Sequence, residues 1–166
     1  MGVIAGPAAA PRAPLPLVDR QEDAALHDGD YVQWLERQAG LLRSGRYAEL
    51  DTDTLAEEIE ALAGRDRREL KSRLTVLLTH LLKWRFQPSG RTGSWIGTLN
   101  TQRREIRLIL EDSPSLRPLV PGYLAARYGD AVTDAGTETG LPTSAFPAQP
   151  PWTAAQALDP DYWPDA

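Results

Sequence analysis

The chain has 166 residues, no cysteine, and a net charge of −5 on 25% charged residues. Its length and apolar share suffice for one ordinary domain with a core. The lack of cysteine excludes disulfides, thiolate metal centres and cysteine nucleophiles, and suits a reducing compartment.

The N-terminus, MGVIAGPAAAPRAPLPLVDR, is rich in Ala and Pro. It lacks the basic start and unbroken apolar run of a secretory signal. No segment approaches the roughly 20 apolar residues of a membrane span. The expectation is a flexible tail over 1–27, a single helical domain over 28–166, and a cytoplasmic address.

The first helix is predicted to start near Asp28 or Asp30 and to run through YVQWLERQAGLLRSG. Tyr31, Trp34, Leu35, Gln38, Leu41 and Leu42 recur at helical spacing, and Gly45 is a natural stop. The short link RYAELD then implies an antiparallel helix pair.

The stretch from Asp53 to Phe86 is the central element. Leu55, Ile59, Leu62, Leu70, Leu74, Leu77, Leu78, Leu81 and Leu82 form one stripe of a 3.6-residue helix, with Asp51 or Asp53 as its cap. Unbroken, this helix spans roughly 50 Å, against a radius of gyration of about 14 Å for a domain of this size. Either a kink at Gly64 or a second protein, such as a second copy, relieves the overhang.

QPSGRTGS breaks the pattern, and Ser94 is the expected cap of WIGTLNTQRREIRLILED. Its buried stripe is Trp95, Leu99, Ile106, Ile109 and Leu110, and the short loop folds it back on the long helix. Ser113-Pro114 ends that helix. Pro121 opens a fourth, closed by Gly140, with Leu124, Tyr128, Ala131 and Ala135 inward. The last stretch carries Phe146, Trp152, Leu158, Tyr162 and Trp163, too many large apolar groups for a free tail. An extended clasp with one short helix near Thr153 to Leu158 is expected. No alternating strand pattern occurs, so the class is all-α: a helical bundle around one long central helix, with a Pro/aromatic-rich C-terminal clasp.

Charge is distributed unevenly. Between Arg65 and Arg107 lie eleven basic residues against Asp66, Glu69 and Glu105. Either acidic flanks neutralise this segment, or it meets a nucleic acid or an acidic partner. For Arg103, Arg104 and Arg107, pairing with Glu57, Glu58 or Glu60 is the expectation. No helix-turn-helix is recognisable, and overall acidity opposes non-specific nucleic-acid binding.

His80 sits among leucines, and a carboxylate–histidine metal site with Glu57, Glu58 or Glu105 is conceivable. The chain has no Glu-x-x-His and only one other histidine, His27. Burial with a hydrogen bond to a neighbouring helix is therefore expected, with no metal and no cofactor. Glu57, Glu58 and Glu60 diverge around a helix rather than forming a catalytic dyad. The loop SGRTGS with Arg91 has the makings of an anion site but lacks the P-loop Lys, and a plain capped turn is expected. No nucleophile elbow, HExxH, dinucleotide fingerprint or zinc spacing is present, so no catalytic residue is assigned.

The segments DGDYVQWLERQAGLLRSGRYAELD, LAEEIEALAGRDRRELKSRL and LLTHLLKWRFQP follow one another in order. SW, QRREI, EDSPSLRP, ETGLP with a later FP, and PW come after them. Together they resemble the bacterial domain-of-unknown-function family 29, over roughly Asp28 to Trp163. The resemblance implies an all-helical bundle and carries over no activity, cofactor or catalytic residue. The expected role is a non-enzymatic protein–protein interaction or regulatory module, with a protein partner or a second copy. The alternative is a nucleic-acid-associated regulator using the basic 65–107 region. Arg65, Arg68, Arg103, Arg104, His80 and Trp84 are the candidate interaction or structural positions.

Overall fold

A computed structural model describes residues 20–165, with side chains from Ala25 onward. The expected tail over 1–27 lies largely outside these residues. Its last part does not, because Arg20–Gly29 forms helix α1. Among the described residues the elements are helical and no strand occurs. The chain divides into two compact units, one ending at Ala61 and one running from Leu62. The long helix α3, Thr52–Phe86, supplies its start to the first and its remainder to the second. It is unbroken at Gly64.

In the N-terminal unit, α2 spans Tyr31–Arg43 and is capped by Asp30, whose Oδ1 accepts from the Gln33 N–H at 3.0 Å. Gly45, at φ 71°, ends it. The Gly45 and Arg46 N–H groups donate to the carbonyls of Leu42 and Leu41, the Schellman pattern. Asp51 caps α3, accepting from the Thr54 N–H at 3.4 Å, while its own N–H donates to Gln38 Oε1 at 3.0 Å. Tyr31 bonds Glu58, so seven residues forward on α2 correspond to seven back on the other strand of the pair, from Glu58 to Asp51. The two segments are thus antiparallel, as the short link implied. Of the expected stripes, Trp34, Gln38 and Leu41 are buried, whereas Leu35, Leu42 and Ile59 are exposed.

In the C-terminal unit the leucine stripe of α3 is buried from Leu70 onward. Leu70, Leu74, Leu77, Leu78, Leu81 and Leu82 are all 0% exposed, each worth about 1.5–3 kcal/mol of apolar burial. Leu62, at the head of this unit, is exposed. Helix α4 spans Gly93–Asp112 and buries Leu99, Ile106 and Leu110. It begins one residue before the expected Ser94 cap: Thr92 holds the cap position and makes no side-chain capping bond. Arg73 reaches Glu105 at 3.7 Å and Lys83 lies 4.4 Å over the Trp95 ring, so α4 runs antiparallel to α3.

A 3-10 turn over Pro114–Leu119 leads into α5, Val120–Thr139. Lys71 lies over the Tyr123 ring and Lys83 pairs with Glu138, which sets α5 parallel to α3. Leu124, Tyr128, Ala131 and Ala135 are buried, and Gly140, at φ 74°, caps the helix. The C-terminal clasp then adds buried Phe146 and Trp152, with Leu158, Tyr162 and Trp163 packed on the same core. Its short helix α6, Ala154–Leu158, has a capping box between Thr153 and Gln156. Tyr128 anchors the clasp by donating its hydroxyl to the Pro147 carbonyl at 2.8 Å.

Candidate functional site

On α4, steps of three and four place Asn100, Arg103, Arg104 and Arg107 along one face. With Arg117 from the 3-10 turn and Pro160 beyond α6, they surround a half-open cavity of about 270 Å³. Ile106, Leu110 and Leu158 supply its apolar wall. No carboxylate belongs to its lining among the described residues.

Arg103 is only 4% exposed. Its Nε donates to the Ala157 carbonyl at 3.0 Å, Nη1 to Pro160 at 3.4 Å and Nη2 to Tyr162 at 2.7 Å. The Trp163 ring lies 5.4 Å from its guanidinium carbon. A planar fork suits three carbonyls that diverge along a bent chain end. Burial pushes this guanidinium below the usual arginine range, partly opposed by Asp159. Arg103 makes no ion pair among the described residues. The expected pairing with Glu57, Glu58 or Glu60, or an exposed place on a basic face, is therefore corrected: Arg103 pins the clasp.

Arg104 is exposed and meets Glu105 at 3.3 Å, and Arg107 meets Glu111 at 3.9 Å. Such exposed pairs contribute little. Arg65 and Arg68 are exposed on α3 and form no ion pair among the described residues. Arg91, considered for an anion loop, donates to the Trp84 carbonyl at 2.9 Å and lies over the Trp84 ring. Trp84 also meets Trp163, with ring centroids 4.8 Å apart, so it joins the end of α3 to the clasp.

His80 is half-buried, and its Nδ1 lies 3.0 Å from the Val76 carbonyl of its own helix rather than bonding a neighbouring one. Burial lowers its pKa first, and the Lys83 cation adds to this against the Val76 carbonyl and Glu138. Lys83 itself is 4% exposed, paired with Glu138 and seated on Trp95. Among the described residues no group of three or more His, Cys, Asp or Glu is placed to hold a metal ion.

The N-terminal unit has its own polar cluster. His27 Nε2 lies 3.0 Å from Glu58 Oε1, and the Tyr31 hydroxyl donates to Glu58 Oε2 at 2.7 Å. His27 also meets the buried Trp34 edge to face at 4.9 Å. Bonding to Glu58 raises the pKa of both His27 and Tyr31, and the Tyr31 and His27 bonds lower that of Glu58. Both Glu58 oxygens are engaged, which makes this a strut holding α1 and α2 to the start of α3.

Sequence reasoning missed Arg103 as a buried group, although a signal existed. Leu99, Arg103, Ile106 and Leu110 occupy successive slots of one apolar stripe. It also missed Arg117, which joins the site only through tertiary folding.

The family model described as "Domain of unknown function DUF29" matches residues 26–163. The chain belongs to this family. No curated protein and no solved structure gives a significant match. The DUF29 match starts within α1 and reaches Trp163, so the clasp held by Arg103 falls inside the family's extent. No helix among the described residues is long and apolar enough to cross a membrane.

Proposed function

We propose that this DUF29 chain is a non-enzymatic interaction module that associates with a second copy through its N-terminal unit. One observation carries the proposal. Among that unit's described residues, Trp34 and Leu41 are its buried large apolar side chains, whereas Val32, Tyr47 and Ile59 are 63%, 65% and 59% exposed. Leu35 and Leu42 are exposed as well. A unit that leaves more large apolar groups in water than it buries is suited to a partner surface.

Charge favours a second copy as that partner. Residues 1–61 hold 12 Asp and Glu against 5 Lys and Arg, while residues 65–107 hold 11 basic against 3 acidic. The acidic unit of one copy complements the basic segment of another. Exchanged reciprocally, that contact closes at two copies. The proposal includes a cytoplasmic address, supported by the cysteine-free composition.

Light scattering across a concentration series tests this reading. The expected result is a mass near twice 18.3 kDa that falls on dilution and is lost in Leu42→Lys and Ile59→Lys variants of unchanged helicity. A mass of 18.3 kDa at every concentration contradicts it.

The alternative is a nucleic-acid-associated regulator. With Arg103 engaged by carbonyls and Arg73, Arg104 and Arg107 beside carboxylates, it rests on Arg65, Arg67 and Arg68. Retention of labelled DNA or RNA that falls steeply with salt is the result that favours it.

A further inference from the structure

We infer that the arginine-lined cavity between α4 and the clasp binds a small organic anion, a carboxylate or phosphate carried on an apolar body. The inference does not rest on the proposed self-association, although Arg103, Arg104 and Arg107 of this cavity belong to the basic 65–107 segment invoked there.

Charge is the first ground. Arg103, Arg104, Arg107 and Arg117 all line one cavity, with Asn100 as a further donor and no acid in the lining among the described residues. Like charges lining one cavity repel, and a buried guanidinium is unfavourable unless it is compensated. Arg103 has three carbonyls as hydrogen-bond partners and no ion pair among the described residues, with Asp159 acting on it only through space. Glu105 and Glu111, which meet Arg104 and Arg107 at 3.3 and 3.9 Å, are not part of the lining. A negative charge inside the cavity supplies what the lining lacks, and guanidinium forks suit carboxylate and phosphate.

Shape and polarity give the ligand its second half. Ile106, Leu110 and Leu158 form an apolar wall beside the cations, so a bare ion leaves that wall in water. The volume, about 270 Å³, lies just below the roughly 300–1,000 Å³ of drug-sized sites, which limits the occupant to a small molecule. Among the described residues no aromatic ring lines the cavity, and single-stranded nucleic acid needs stacking platforms along an open groove. A divalent cation is opposed by four arginines.

Calorimetric titration of the full chain with phenyl phosphate, inorganic phosphate and benzyl alcohol tests the inference. Phenyl phosphate is expected to bind at least about tenfold more tightly than either of the others, since each probe lacks one half of the match. Arg104→Gln and Arg117→Gln change exposed residues and leave the Arg103 clasp intact. Each is expected to weaken phenyl phosphate about tenfold, while Arg65→Gln, away from the cavity, leaves it unchanged. Three results overturn the inference: no binding of phenyl phosphate, equal binding of inorganic phosphate, or affinity indifferent to Arg104→Gln and Arg117→Gln. Tighter binding of a single-stranded oligonucleotide that depends on Arg65 also overturns it, and points to the basic surface of α3 instead.

Discussion

Arg103 donates a 2.7 Å hydrogen bond to the carbonyl of Tyr162, 59 residues further along the chain. With the bonds to Ala157 and Pro160, it makes one side chain of α4 a fastening for the last turn of the clasp, beyond the Tyr128–Pro147 bond. The clasp covers core that the three long helices of its unit leave open, so its attachment bears on stability.

Arg103→Met keeps the length of the side chain and removes every donor. Three carbonyls then lose a charged partner, which costs about 2–4 kcal/mol. Arg103→Lys recovers only part of this, because an ammonium cannot reproduce the planar fork. Urea unfolding measures both, and the account expects Met to be worse than Lys and Lys worse than the native residue. Equal stability of all three contradicts the fastening role.

Lys83 and Glu138 predict an asymmetry. Lys83 is buried, whereas the Glu138 side chain is about half exposed at 47%. Glu138→Gln leaves a buried ammonium without its counter-ion and is expected to cost about 1–2 kcal/mol after allowance for solvent screening. Lys83→Met lets Glu138 turn to water and keeps packing against Trp95, so it is expected to be near neutral. A double-mutant cycle reads the coupling.

The two histidines predict opposite pH responses. His27 has its pKa raised by Glu58, so its contribution is complete below its unfolded value of about 6.5 and is lost as pH rises through the higher folded value. His80 has its pKa lowered by burial and by Lys83. Its contribution is present above about 6.5 and is lost as pH falls through the lower folded value. His27→Gln should therefore remove stability lost on the alkaline side, and His80→Gln should flatten the loss on the acid side. Unfolding followed at pH 5.5 and 8, about a unit or more either side of the ordinary histidine value, separates them. The same sign of response in both variants contradicts the assignment.

The fold was readable where one physical rule dominated. The stripe from Leu70 to Leu82 could face only inward, and Gly45, Pro121, Gly140 and Thr153 each carried a turn or capping preference that the structure uses. Helix α1 was not readable, because RQEDAALHDG has almost no apolar stripe and is tied down through His27 by a bond across 31 residues. Ile59 and Leu62 followed the leucine period yet lie in solvent: periodicity states which face is apolar and not whether the same chain covers it. Arg103 failed for the converse reason. A charged side chain reads as exposed even in the slot between Leu99 and Ile106, and its partners are backbone carbonyls, which leave no mark in a sequence.

The central claim is that the exposed apolar side chains of the N-terminal unit form an interface between copies. Backbone amide exchange over residues 31–61, measured as a function of protein concentration, tests it most directly. The account predicts exchange in α2 and the start of α3 that slows as concentration rises, and that stays fast in Ile59→Lys. Exchange over these residues that is the same at every concentration contradicts it.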